Sequence, residues 1–289
     1  MHLWLLWLCH AHAQPPTRSP AVDRAAAHWR QCRGKTMVPY YNAMMAYKAV
    51  EYLNQHRIPG DIVEAGVWAG GMSCLMAHAQ MATQTLPRRI WLFDTFEGMP
   101  EPTAEDDRRS RRLWKAVRNG STRVPGAVRE RKWAYAPLPE VRAVLVGTGY
   151  PDLSFVQGKV EATLLDSAIQ LPSTIALLRL DTDWYKSTQV ELNVLWPRLS
   201  PGGWMYVDDY SAFGGARRAV DEWLKAHGWA RAARKAKAVK KTARRPTGPS
   251  DDSVGCFSVI KARPFNASAP FDASNETLRA LCPACSGAV

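Results

Sequence analysis

Three aspartates that follow two apolar runs are the residues of this sequence best suited to metal chemistry. Asp181 follows the run Ile175–Leu180, and Asp208 and Asp209 follow Trp204–Val207. Both runs are typical of buried strands in a parallel sheet, and open α/β sheets bind ligands just beyond the carboxyl ends of their strands. Carboxylates that converge there repel one another unless a hard cation lies between them. We therefore predict that Asp181, Asp208 and Asp209 bind Mg²⁺ or another divalent cation.

Two other interpretations of these aspartates stay open. An aspartate after a strand often caps the next helix, although three carboxylates exceed what two helix starts need. Asp181-Thr182-Asp183 is also a DxD sequence, and metal-dependent glycosyltransferases use such a sequence to bind a nucleotide-sugar diphosphate through a cation. Asp183 itself either supports the metal site or caps the helix predicted from Ser187.

A second group with chemical meaning is the glycine-containing turn Glu64–Gly71. It lies between a predicted strand and a predicted helix, where small residues let the backbone approach a ligand closely. Asp94 ends the next predicted strand and could accept two hydrogen bonds from a ribose diol. The turn departs from the Gly-x-Gly-x-x-Gly dinucleotide pattern, and Glu64 would repel a pyrophosphate but attract a sulfonium. This charge argument favours S-adenosylmethionine over NAD.

The elements that must position these residues alternate between strand and helix. A first helix is predicted at 38–55, and strands are predicted at 62–64, 90–93, 153–156, 175–180 and 204–207, with a late edge strand at 256–260. Helices are predicted between them at 72–79, 159–168, 187–195 and 216–226. Alternation of this kind predicts an α/β fold with a doubly wound, mostly parallel sheet and right-handed crossovers.

The chain of 289 residues carries a formal charge of +12. Its basic residues concentrate in Arg108–Lys132 and Arg231–Arg245, where the apolar pattern is weakest. This distribution favours solvated segments, and it leaves a basic nucleic-acid-binding module as a further alternative. We expect no nucleic-acid partner.

The cysteines and the first residues bear on the compartment. Six cysteines form no disulfide-scaffold pattern; Cys74 is predicted to be a small apolar residue of a helix, and Cys282-Pro-Ala-Cys285 is a weak zinc signal. A short apolar run within 1–13 precedes a cleavage-like Ala11-His12-Ala13, but no basic residue comes before it. Together with a cytosolic cosubstrate, this favours the cytoplasm over the secretory pathway. No segment is long enough to span a bilayer.

Four motifs, met in order along the chain, resemble the macrocin O-methyltransferase family. They are Gly60–Gly71, Phe93–Pro100, Leu178–Thr188, and Leu199–Gly203 together with Val207–Tyr210. The resemblance implies a Rossmann-like class I S-adenosylmethionine-dependent methyltransferase fold with a seven-stranded sheet. It also implies a divalent metal, usually Mg²⁺, and methylation of a hydroxyl group. By motif match, Glu64, Gly66 and Asp94 hold the cosubstrate, and Asp181, Asp208 and Asp209 hold the metal.

On this basis we expect an O-methyltransferase that acts on a small-molecule hydroxyl, such as that of a sugar, a diol or a polyketide-like natural product. A metal-bound hydroxyl loses its proton more easily, and Asp181 is the candidate catalytic residue for that step. The expected donor site comprises Glu64, Gly66, Val67, Trp68, Gly70, Asp94, Thr95, Phe96, Gln157 and Gly158.

The same reasoning divides the chain into regions. Residues 1–35 form a leader and N-terminal arm, and 36–263 form the methyltransferase domain. That domain carries a basic lid segment at 101–150 and a basic insertion at 231–250, and 264–289 form a tail without fixed structure. Whether the protein forms a homo-oligomer stays open.

Overall fold

The computed structural model describes residues 20–124, 128–229, 257–261 and 279–280. The signal-like segment 1–13, the basic insertion 231–250 and all of the tail 264–289 except Arg279–Ala280 lie outside the described residues. None of the helices in the described ranges combines the length and apolar content needed to cross a bilayer.

A seven-stranded sheet in the order β5-β2-β1-β6-β7-β8-β9 forms the centre of the fold. Its strands are β1 (Asp61–Ala65), β2 (Ile90–Asp94), β5 (Leu153–Gln157), β6 (Ile175–Leu180), β7 (Leu199–Val207), β8 (Phe257–Ile260) and β9 (Arg279–Ala280). The first five in this order run parallel, whereas β8 and β9 join antiparallel. The predicted doubly wound, mostly parallel α/β sheet is confirmed.

Helices cover both faces of the sheet, and a small hairpin lies outside it. The helices are α1 (Pro20–Cys32), α2 (Tyr40–Gln55), α3 (Gly71–Thr83), α4 (Arg108–Arg118), α5 (Leu138–Val146), α6 (Val160–Thr163), α7 (Tyr185–Leu195) and α8 (Gly214–Ala226). The hairpin pairs β3 (Val128–Arg129) with β4 (Lys132–Trp133). Because successive side chains of a strand point to opposite faces, Ile62 joins the core beneath α2 and α3, and Val63 joins the core beneath α7 and α8.

The strand ends that carry the predicted site residues lie level with one another. Ala65 of β1 pairs with Phe93 of β2 and with Leu180 of β6. Leu180 in turn pairs with Val207 of β7. The residues that follow these four, side by side at the carboxyl edge, are Gly66, Asp94, Asp181 and Asp208. The sheet order reverses between β1 and β6, and such a switch point is where open α/β sheets bind ligands.

Two predicted elements differ in extent from the structure. The helix predicted at 159–168 ends at Thr163, because Asp166 Oδ1 accepts a hydrogen bond from the N–H of Ala168 and forms a local turn instead. The strand predicted at 204–207 begins at Leu199, so Pro201–Gly203 lies inside it. Gly202 donates to the Lys261 carbonyl, so this glycine-rich stretch pairs with the chain after β8.

The basic segment 101–150 folds as α4, the hairpin and α5. Cys74 lies in α3 as predicted, but the prediction that it is only a small apolar residue is wrong. It forms a disulfide with Cys32 at the end of α1. The two cysteines are separated by 42 positions, so their pairing depends on the packing of α1 against α3, which no local sequence pattern reports.

Candidate functional site

A cavity of about 600 Å³ opens at the carboxyl edge of the sheet, at the switch point between β1 and β6. The ends of β1, β2, β6 and β7 form its floor. The segment Thr36–Pro39, just before α2, forms one wall, and residues of the basic segment and of the turn before α8 form the other. This second wall consists of Met99 and Pro100 just before the basic segment, Arg109, Leu113, Trp133 and Ala134 within it, and Ser211, Ala212 and Phe213 before α8.

The cavity brings together most of the residues predicted for the donor site. Those that line it are Glu64, Gly66, Val67, Trp68, Asp94, Thr95 and Gly158. Gly70 instead caps the start of α3 with a φ of 84°, and Phe96 is buried in the core at 1% exposure. Gln157 lies in a neighbouring groove. All three predicted metal ligands line the cavity.

Asp94 holds the glycine turn in place. Its Oδ2 accepts hydrogen bonds from the backbone N–H groups of Val67 at 2.6 Å and Trp68 at 2.9 Å, and its Oδ1 accepts from Phe96 N–H at 2.7 Å. Gly66 has a φ of 86°, and a Cβ there would overlap the backbone carbonyl of Asp181. The glycine turn and the end of β6 therefore touch, which joins the predicted donor site to the predicted metal site.

A buried arginine, which the sequence reasoning missed, connects the two sites. Arg179 Nη1 lies 2.6 Å from Glu64 Oε1 and 2.7 Å from Asp181 Oδ2, and Nη2 lies 3.1 Å from Asp208 Oδ2. Glu64 also accepts a hydrogen bond from Ser73 Oγ. Burial lowers the pKa of Arg179, but the surrounding carboxylates more than offset this and raise its pKa. The signal in the sequence was a single arginine inside an otherwise apolar strand, since a buried cation requires carboxylate partners.

The carboxylates of Asp181, Asp208 and Asp209 converge as predicted. Each offers an oxygen, and these oxygens all lie within 4.8 Å of one another. Asp209 Oδ2 is buried and has no hydrogen-bond partner among the described residues. Burial and then the neighbouring negative charges raise the pKa of Asp181 and of Asp209. An oxygen-only donor set with an unsatisfied buried oxygen fits a hard divalent cation.

The capping interpretation of these aspartates is wrong. The start of α7 is capped from the basic segment, since Tyr185 N–H donates to Asp106 Oδ1 at 2.8 Å. The start of α8 is also capped from the basic segment, since Gly214 N–H donates to Asp107 Oδ2 at 2.9 Å. Asp183 precedes α7 without capping it and lines the cavity with a φ of 67°. Burial raises the pKa of Asp183 to about 7.

Aromatic side chains close the cavity on the side away from the glycine turn. Trp184 meets Phe213 edge-on with ring centroids 5.4 Å apart, and Trp133 meets both rings at 6.1 and 6.2 Å. Trp184 Nε1 donates to the Pro100 carbonyl at 3.0 Å. These contacts hold the basic segment and Pro100 against the residues that precede α7 and α8, at the cavity that the carboxylates line.

This chain is similar to known proteins. The family model for macrocin-O-methyltransferase matches residues 8–238. The chain is 36% identical over 181 residues to the 8-demethyl-8-(2,3-dimethoxy-alpha-L-rhamnosyl)-tetracenomycin-C 4′-O-methyltransferase of Streptomyces olivaceus, a match that covers 62% of this chain and 63% of that protein. It is 32% identical over 190 residues to the demethyldecarbamoylnovobiocin O-methyltransferase of Streptomyces niveus, covering 63% and 67% of the two chains.

Among solved structures, the O-methyltransferase NovP superposes with a TM-score of 0.57 and 28% identity, covering 67% of this chain and 75% of that one. The chain spans just under two thirds of the length of the tetracenomycin relative. Since the family model matches most of the sequence, including all four motifs at the cavity, this chain belongs to the macrocin-O-methyltransferase family.

Proposed function

We propose that this protein is an S-adenosylmethionine-dependent and divalent-metal-dependent O-methyltransferase. Its acceptor is a hydroxyl group of a small molecule, of the sugar, diol or polyketide-like class. The observation that carries the proposal is the contact between the glycine turn and the end of β6, which places a donor pocket and a carboxylate cluster in one cavity. The names of the two relatives support an acceptor hydroxyl on a natural product.

The donor half of the cavity would hold S-adenosylmethionine. The open backbone at Gly66 admits a ligand close to the sheet, and the Thr36–Pro39 segment covers the opposite side. Asp94 uses both oxygens to accept from backbone N–H groups, which shapes the turn. Oδ1 also accepts a long hydrogen bond from Thr95 Oγ1 at 3.4 Å, which a ribose hydroxyl would replace. Glu64 is paired with Arg179, so together they present little net charge to the ligand.

The acceptor half would hold a divalent cation between Asp181, Asp208 and Asp209. Such an ion, when bound, lowers the pKa of a coordinated hydroxyl, and the donor supplies the methyl group that this oxygen receives. Arg179 fixes Asp181 and Asp208 through Nη1 and Nη2, so these ligands are held in place before any ion binds. Trp133 and Phe213 line the same cavity and give it apolar surface.

Asp183 is the residue best placed to accept the proton of the acceptor hydroxyl. Asp181 contacts Arg179 at 2.7 Å, and an ion pair with a guanidinium makes a carboxylate a weaker base. Asp183 lies two positions further along, lines the cavity and takes no part in an ion pair with Arg179, so it is the better placed base. In this proposal Asp181 contributes to catalysis as a metal ligand.

Family membership favours methyl transfer over the DxD glycosyltransferase interpretation. Calorimetry with S-adenosylmethionine, with and without Mg²⁺, tests the choice, and UDP-glucose serves as the competing ligand. We expect binding of S-adenosylmethionine and none of UDP-glucose. Binding of UDP-glucose alone would overturn the proposal.

The carboxylate roles are tested with substitutions that keep side-chain size. Asp208→Asn should abolish methyl transfer and leave the affinity for S-adenosylmethionine within about threefold, because the residue acts on the metal and not on the donor. Asp152→Asn is the matched control, since this aspartate lies at the surface in an exposed ion pair with Arg89. Loss of donor binding in Asp208→Asn would instead indicate a folding role.

A further inference from the structure

Two helices face each other with matching pairs of metal-binding side chains, outside the cavity. Helix α1 carries His28 and Cys32, and helix α3 carries Cys74 and His78. Within each pair the residues are four positions apart, so they lie on one face of their helix. The two sulfur atoms form the disulfide, and a ring nitrogen of His78 lies within 4.8 Å of both.

His28 lies beside this group of three, as the neighbour of His78. Its ring stacks on that of His78 with centroids 4.8 Å apart and an interplanar angle of 16°. His28 Nδ1 lies 3.1 Å from the Tyr47 hydroxyl, which leaves Nε2 for another partner. A hydrogen bond to one ring nitrogen that orients the other is the usual support for a histidine ligand.

We propose that Cys32, Cys74, His78 and His28 form a zinc site whenever the two cysteines are reduced. Two thiolates and two neutral imidazoles in tetrahedral arrangement are a common structural zinc set, and the two thiolate charges balance Zn²⁺. A dithiol reductant takes the disulfide to two thiols and becomes a disulfide itself; the thiols then release two protons as they bind the ion. The cross-link between α1 and α3 at Cys32 and Cys74 thus exists in a disulfide form and a zinc form.

The surroundings favour a closed structural site. Cys32 is fully buried and Cys74 is 5% exposed. They lie in the apolar cluster that includes Tyr47, Val50 and Leu75. An ion bound there is attracted to the two thiolates more strongly than in water, because the dielectric around it is low.

The chain that follows Cys32 connects this cross-link to the cavity. A Cβ on Gly71, the first residue of α3, would lie 2.5 Å from the carbonyl carbon of Lys35, so this stretch rests directly on the start of α3. It continues into Thr36–Pro39, which forms a wall of the cavity. Loss of the cross-link releases that wall, and this weakens donor binding if the proposed function holds. Zinc binding itself does not depend on that function.

Zinc content tests the proposal directly. The full chain, purified in a phosphine reductant with zinc in the medium, should contain one zinc ion per chain by mass spectrometry of the metal. Cobalt in place of zinc should give the thiolate charge-transfer band and the visible bands of a tetrahedral site. Cys32→Ser and His78→Ala should lose both signals, and His28→Ala should bind zinc at least tenfold more weakly.

Two controls separate this site from other zinc ligands. The double variant Cys282→Ser/Cys285→Ser removes the CxxC pair, and Asp208→Asn alters the carboxylate cluster; both should keep the zinc and the cobalt spectrum. Reduced parent protein that takes up neither ion overturns the proposal without reference to any variant, as does zinc that persists in Cys32→Ser. Zinc lost from the CxxC variant instead would assign the ion to that pair and overturn the proposal equally.

Discussion

Replacing Arg179 with glutamine should destabilise the protein strongly. Arg179 is 1% exposed, and its guanidinium contacts Glu64, Asp181 and Asp208. Removing one partner of a buried ion pair costs about 3–5 kcal/mol, because the remaining charge stays buried without compensation. Glu64 carries that cost, since it is fully buried and keeps only the hydrogen bond from Ser73. A loss of this size is a large part of the stability of an ordinary domain.

The loss should depend on pH with a definite sign. Burial already raises the pKa of Glu64 in the folded protein, and Arg179 is the largest influence that lowers it. Without Arg179 the pKa of Glu64 rises further, so the folded state binds a proton at Glu64 more tightly than the unfolded state does. The stability tied to this proton is present at low pH and is lost as the pH rises. The variant should therefore be closer to the parent at pH 5 than at pH 8.

Urea denaturation of Arg179→Gln at pH 5 and pH 8 measures both effects. Arg89→Gln is the matched control, because it breaks an exposed ion pair with Asp152 and should change the stability far less than Arg179→Gln does. Adding Glu64→Gln to Arg179→Gln should recover part of the loss at pH 8. A variant within about 1 kcal/mol of the parent at pH 8, or no recovery in the double variant, would refute the reasoning.

Three further changes test separate parts of the structure. Gly66→Ala should destabilise by about 2 kcal/mol and abolish donor binding in calorimetry, since its positive φ and the adjacent Asp181 carbonyl exclude a Cβ; unchanged binding would contradict this. Asp106→Ala should cost about 1 kcal/mol and raise the KM for the acceptor, because it removes the cap of α7 that holds the basic segment, and a change in donor affinity alone would argue against it. Burial raises the pKa of Glu191 to about 8, so the parent should lose about 3 kcal/mol between pH 6 and pH 9 in urea unfolding and Glu191→Gln should lose less; equal losses would count against a buried acid there.

The strands and the carboxylate cluster were predictable because their causes are local. An apolar run that ends in an acidic residue marks both a buried strand and its carboxyl edge, and parallel topology brings such edges together. Asp181 and Asp208 therefore met as expected. The two residues lie side by side because the strand register pairs Leu180 with Val207, the residues just before them.

The rest of the site depends on contacts that sequence spacing does not report. Thr36–Pro39 reaches the cavity only because Lys35 packs on Gly71. The caps of α7 and α8 come from Asp106 and Asp107, about 80 and 107 positions earlier in the chain. Such long-range partners are fixed by tertiary packing, and local rules for helix starts predict the wrong acceptor. The aspartates converge as predicted, and their metal role stays a prediction; the residue that orients them, Arg179, was missed.

The central claim is that one divalent cation binds between Asp181, Asp208 and Asp209, next to the donor pocket. Titration with Mn²⁺, followed by electron paramagnetic resonance, counts bound ions directly, and Mg²⁺ competition reports the affinity. We predict one Mn²⁺ site per chain, displaced by Mg²⁺, weakened as the pH falls because protons compete for these carboxylates, and lost in Asp208→Asn. Mn²⁺ binding that is unchanged in Asp208→Asn, or no binding in the parent with S-adenosylmethionine present, would contradict the account.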